Sequence, residues 1–170
     1  MRAAASAPAR SDHPLAPALP TLDRRNFASA EGVSKGAYIL VDAVGGLPEL
    51  ILIASGSELS LAVEARETLT AQGIGCRVVS MPSWDIFENQ SQAYRETVLP
   101  PQVSARIAIE QGSTLGWERY VGAAGRVIGM HTFGASAPLK ALQSKFGFEP
   151  ARVVAAAREL LDARKIARSV

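Results

Sequence analysis

The stretch Leu50-Ile51-Leu52-Ile53-Ala54-Ser55-Gly56-Ser57-Glu58 decides the fold. Its first five residues are apolar without interruption. A continuous apolar run, unlike an alternating one, describes a strand buried on both faces. Ser57 then offers an N-cap, and Glu58 places a negative charge at the positive pole of a helix over Leu59–Gln72. Leu59, Ala62, Val63 and Leu69 share one face of that helix. Gly73-Ile74-Gly75 stops it, and Cys76–Ser80 follows as the next strand.

Working outward, Ala37-Tyr38-Ile39-Leu40-Val41 is a short β-rich run. The connection Asp42–Glu49, with Gly45-Gly46 and Pro48, is too short for a parallel crossover. The runs on either side of it are therefore expected to pair antiparallel. Trp84–Leu99 predicts a helical turn and a longer helix ending before Pro100-Pro101, and Ala105–Glu110 a strand. Thr114–Tyr120 is expected to be helical and Arg126–Gly129 a short strand. Helices over Pro138–Lys145 and Pro150–Arg168 finish the chain. The last opens on Pro and carries an apolar stripe of Val153, Val154, Ala157, Leu160 and Leu161. Arg164, Lys165 and Arg168 near its end complement the negative pole. Strands alternating with helices define an α/β sandwich with a mostly parallel sheet and one antiparallel edge.

Composition narrows the class. With 48% hydrophobic and 20% charged residues among 170, the chain is of the soluble globular type and about one domain long. The 18 Lys and Arg exceed the 16 Asp and Glu by too little to argue for nucleic acid. No apolar run approaches the roughly 20 residues of a membrane span. One Cys excludes an intrachain disulfide, and two His leave little for a metal site. Met1–Pro20 holds seven Ala and four Pro without periodicity and is read as disordered or loosely draped. Thr21–Lys35 reads as linker, so residues 1–35 precede a domain over residues 36–170. Arg2 and Arg10 only faintly imitate a transit peptide, and nothing resembles a secretory signal. The lone cysteine and the missing signal point to the cytoplasm.

Few motifs carry chemistry. Gly73-Ile74-Gly75 lacks the third glycine of a dinucleotide fingerprint and precedes a strand, so it is rejected. Ser55, Gly56 and Ser57 do lie between a buried strand and a helix N-terminus, where free amides bind anions. A tight turn plus a helix cap explains them without a ligand and is the preferred reading. Gly134-Ala135-Ser136-Ala137 has no glycine two residues after its serine, so Ser136 reads as a cap and not as a nucleophile. His131, Cys76, Trp84 and Trp117 read as surface or packing residues. Acidic residues such as Asp85, Glu88, Glu110 and Glu118 are dispersed, without metal-ligand spacing. Three loops, Ser55–Ser57, Gln111–Ser113 and Thr132–Ser136, follow strands expected to be parallel. Ligands bind at that edge of open α/β sheets. Ser55, Gly56, Ser57, Gly112, Ser113, Gly134 and Ser136 are thus the candidate anion-binding residues. The alternative is that these loops are short connections. No catalytic constellation and no metal site emerges.

Several long strings nevertheless resemble one family. Leu50–Glu58, Arg77-Val78-Val79-Ser80-Met81-Pro82-Ser83 and Tyr94-Arg95-Glu96-Thr97-Val98-Leu99-Pro100 are similar to the C-terminal domain of transketolases. So are Gly129-Met130-His131-Thr132-Phe133-Gly134-Ala135-Ser136-Ala137-Pro138 and the approach segment Ala18–Arg24. The resemblance covers about Ala18 to Leu161 and implies a three-layer sandwich around a five-stranded mixed sheet with one antiparallel edge strand.

It also implies a parent that transfers a two-carbon ketol unit from a ketose phosphate to an aldose phosphate. Thiamine diphosphate and Mg²⁺ or Ca²⁺ would be held by two upstream domains of a homodimer. The third domain contributes no established catalytic residue. The family's Ser/Thr-Arg-Gln element before the linker has no counterpart in Arg10-Ser11-Asp12-His13-Pro14-Leu15-Ala16-Pro17. No catalytic or cofactor-binding residue is therefore carried over. A truncated or frameshifted gene, with Met1–Pro17 out of frame, is one expectation. A split subunit docking on separate cofactor domains is another. The alternative class is a stand-alone α/β module for dimerisation or for binding an anionic metabolite.

Overall fold

The computed structural model describes Asp23, residues 25–130 and residues 148–168. A 3₁₀ helix, Ala30–Lys35, leads into β1 (Tyr38–Val41), β2 (Leu50–Ala54), α1 (Glu58–Ala71), β3 (Cys76–Ser80), α2 (Trp84–Glu88) and α3 (Gln92–Val98). Then come β4 (Arg106–Ser113), α4 (Glu118–Val121), β5 (Arg126–Met130) and α5 (Pro150–Arg168). The sheet order is β1-β3-β2-β4-β5. Among the described strands only the β1–β3 pair is antiparallel. The expected mixed sheet with one antiparallel edge strand is the observed one.

The strand period of two builds both cores. Leu50, Leu52 and Ala54 of β2, Cys76 and Val78 of β3, and Ile107 and Ile109 of β4 face one side. There they meet Leu61, Ala62, Ala65 and Leu69 of α1 with Val153, Val154, Ala157 and Leu160 of α5. The intervening Ile51, Ile53, Val79 and Ala108 face the other side, against Phe87, Val98, Trp117, Tyr120 and Val121. β2 is the hub, since all five of its residues are fully buried. Each buried Leu or Ile there contributes about 1.5–3 kcal/mol.

β1 does not pair with β2. β2 is flanked by β3 and β4, and β1 pairs beyond β3, with Tyr38 opposite Ser80. Loop length forbade a parallel crossover but did not forbid stepping over one strand. Two strand spacings are about 10 Å, and the eight residues of Asp42–Glu49 reach well over twice that. The loop passes the start of β3, where the Glu49 and Leu50 amides both donate to the Gly75 carbonyl (2.8 and 3.2 Å).

Other boundaries shift for local reasons. α1 ends as the sequence suggests, with Gly73 at φ +80. The Gly73 amide donates to Thr70 O and the Ile74 amide to Leu69 O, which closes the last turn. Ser57 is not its side-chain cap, because its backbone is already helical. Its hydroxyl instead donates to Glu58 Oε2 at 3.1 Å. β4 runs on to Ser113, past a register shift after Glu110, so Gly112 and Ser113 lie in the strand and not in a loop. The helix expected over Thr114–Tyr120 shrinks to α4, preceded by turns. Residues 25–35, expected as linker, fold back on β1: the Ala28 amide donates to Leu40 O (2.9 Å), and Phe27 packs on the first core. Met1–Pro20 and the helix Pro138–Lys145 lie outside the described residues.

Candidate functional site

The site of interest is the carboxyl edge of β2 and β4. Ser55 and Ser57 are partly buried there and Gly56 is exposed at φ +52. Glu58 is only 7% exposed and fills the start of α1, next to the Ser57 hydroxyl. The helix terminus thus holds a carboxylate of its own chain, and an external anion would have to share that space. On β4 the Gly112 amide donates to Glu110 Oε1 (2.7 Å) and Ser113 Oγ accepts from the Leu115 amide (3.2 Å). Gly134, Ser136 and His131 lie outside the described residues. The structure therefore brings Ser55, Gly56, Ser57, Gly112 and Ser113 to one edge, with several of their polar groups engaged internally.

Three polar features escaped the sequence reading. Arg77, mid-strand in β3, is 7% exposed and fully committed. Its Nε and Nη2 donate to the two Asp42 carboxylate oxygens (2.8 and 2.9 Å). Its Nη1 donates to Thr97 O and Val98 O (2.7 and 3.0 Å). Arg106 likewise donates to the carbonyls of Val103, Tyr120, Leu99 and Pro100, and burial lowers its pKa. Both tie the ends of α3 and α4 to the sheet. The only sequence signal is an Arg within an apolar strand, which asks for an internal partner.

The third feature joins α2, α3 and α4. Glu88 stands between Arg95 Nη1 (2.8 Å) and Arg119 Nε (3.4 Å), beside a depression of about 380 Å³. Beneath it Tyr120 is 3% exposed, and neither its hydroxyl nor Arg95 Nε makes a hydrogen bond of normal geometry. Burial first, then Glu88, pushes the Tyr120 pKa up to about 12. Trp84 meets Trp117 edge-on at 5.1 Å and Tyr120 at 5.5 Å, so both tryptophans pack as expected. Cys76 is buried with its thiol pushed up to about 12, chiefly by desolvation, which leaves it unreactive. Among the described residues no group of three or more His, Cys, Asp and Glu could hold a metal. Nor is any described helix long and apolar enough to cross a membrane.

Helices on both faces of a mixed five-stranded sheet define a three-layer α/β domain. The chain belongs to the transketolase-like C-terminal domain family, whose model matches residues 36–149. It is 54% identical over 144 residues to a transketolase of Halalkalibacterium halodurans, covering 85% of this chain and 22% of that protein. Transketolase from Leishmania mexicana superposes with a TM-score of 0.73 at 42% identity, over 81% of this chain and 19% of that one. A Pichia stipitis transketolase in complex with sedoheptulose 7-phosphate does so with a TM-score of 0.73 at 36% identity, over 82% and 20%. The chain spans about a fifth of the length of the relatives it matches.

Proposed function

We propose that this chain serves as the third domain of a transketolase, docking on domains that carry the chemistry. The parent reaction is transfer of a two-carbon ketol unit between sugar phosphates, with thiamine diphosphate and Mg²⁺ or Ca²⁺ held outside this chain. The family match over residues 36–149 carries this reading, together with the fifth of its relatives' length that the chain spans. The described residues do not suit the cofactor. A diphosphate at the start of α1 would face the buried Glu58 carboxylate, and no acid cluster stands near to hold its cation.

What the chain offers instead is an apolar strip around α2. Val33 is 47% exposed, Ile86 43% and Leu115 82%. Ile86 borders Gly36, at the end of the 3₁₀ helix, and Gly116, beside Leu115, is packed on Trp84. Such a strip suits docking or a homodimer contact. A free buried Cys76 fits the cytoplasm as its compartment. The test mixes the purified chain with a transketolase truncated after its second domain. Co-elution in gel filtration with a gain of ketol transfer is expected. Elution of this chain at 17.9 kDa, with no gain, would overturn the docking role.

A further inference from the structure

At the opposite, amino end of the sheet, the β1–β2 loop and the last turns of α5 enclose a cleft of about 330 Å³. That is the small end of the range for ligand pockets. Leu47, Pro48, Val103 and Leu161 give it an apolar lining, and Arg164 and Lys165 stand at its rim. Leu47 is 64% exposed although it is a large hydrophobe. Val44 on the same loop and Ile166 on the same helix are exposed as well.

The two cations differ. Lys165 is exposed and pairs with Asp162 at 3.6 Å. Arg164 is partly buried, and among the described residues nothing accepts a hydrogen bond from it. Its nitrogens reach solvent and are not committed to another described group, so they are open to an acceptor that enters the cleft. Its planar fork matches a carboxylate with two parallel hydrogen bonds. Glu49 also lines the cleft, its Oε1 accepting from the Gly75 amide at 3.0 Å. That fixed negative charge opposes a doubly charged guest.

We propose that this cleft binds a free, compact monocarboxylate with an apolar body. The apolar part sits against Leu47, Val103 and Leu161, and the carboxylate pairs with Arg164. Arg164 selects the anion, and Glu49 disfavours dianions such as phosphate monoesters. The site is independent of the docking role, since it lies at the other end of the sheet from the α2 strip.

The probe is 3-phenylpropanoate, titrated calorimetrically into the whole chain, with 3-phenylpropanamide as its neutral counterpart. Saturable binding is expected for the acid and at least about tenfold weaker binding for the amide, a difference of about 1.4 kcal/mol. Arg164→Gln should weaken the acid by the same factor while leaving the amide and the circular dichroism spectrum unchanged. Glu49→Gln should preserve or strengthen binding of the acid. No saturable binding of the acid, or equal binding of acid and amide, would overturn the proposal. So would an Arg164→Gln variant that binds as tightly as the parent.

Discussion

Arg77 shows what one buried charge does for this fold. Its side chain is 8% exposed, against 46% for Asp42, so the pair is buried on one side only. Removing the guanidinium strands the Thr97 and Val98 carbonyls and frees the loop after β1. Arg77→Met is therefore expected to destabilise the domain by about 1–3 kcal/mol in urea unfolding, mostly through the stranded carbonyls, since Asp42 keeps its water. A loss under about 1 kcal/mol would mean that the network is dispensable.

Tyr120 gives the opposite case, a buried hydroxyl whose contact with Glu88 falls short of a hydrogen bond of normal geometry. Tyr120→Phe should be neutral or stabilising by about 1 kcal/mol at pH 7. The sign of its pH effect follows from its pKa, raised from 10.0 to about 12. The unfolded chain releases the proton first, so this contribution is whole below pH 10 and is lost as pH rises toward 12. Cys76, raised from 9.0 to about 12, acts with the same sign. Thermal scans from pH 9 to pH 12 should show a shallower decline for Tyr120→Phe than for the parent. Superimposable profiles would contradict this. None of these partnerships was legible in the sequence, because Arg77 and Asp42 lie 35 residues apart and only the fold joins them.

Turns and edges decide the elements. Gly36 and Gly73 share the same backbone angle, φ +80, yet differ in surroundings. A Cβ on Gly36 would lie 2.3 Å from the Phe87 amide nitrogen and 2.5 Å from Ser83 O, whereas Gly73 faces open space. Gly73→Ala should cost about 1–2 kcal/mol, the strain of the left-handed backbone alone. Gly36→Ala should cost about 3 kcal/mol or more, because backbone has to move as well. Equal losses in chemical denaturation would show that the entry of β1 adjusts freely. Elements were readable where one pattern dominated, as in the apolar run of β2 and the stripe of α5. The neighbour of β1 was not, because a short loop constrains strand direction and reach but not adjacency. The end of β4 was hidden by polar residues that its pairing with β5 holds in a strand.

At the scale of the whole molecule, both faces of one sheet are packed with apolar side chains, over about a fifth of the length of the transketolases it matches. The fold class was legible because the alternation of strands and helices survives any local misreading. The candidate site was only half legible. Small residues at the carboxyl edge of the sheet suggest an open anion cradle. Whether its groups are free depends on side chains such as Glu58 and Glu110 turning inward. We propose that this domain supports a cofactor-dependent enzyme without holding the cofactor. Calorimetric titration of the purified chain with thiamine diphosphate and Mg²⁺ tests it most directly. No heat of binding is expected, and saturable binding at micromolar concentration would contradict the account.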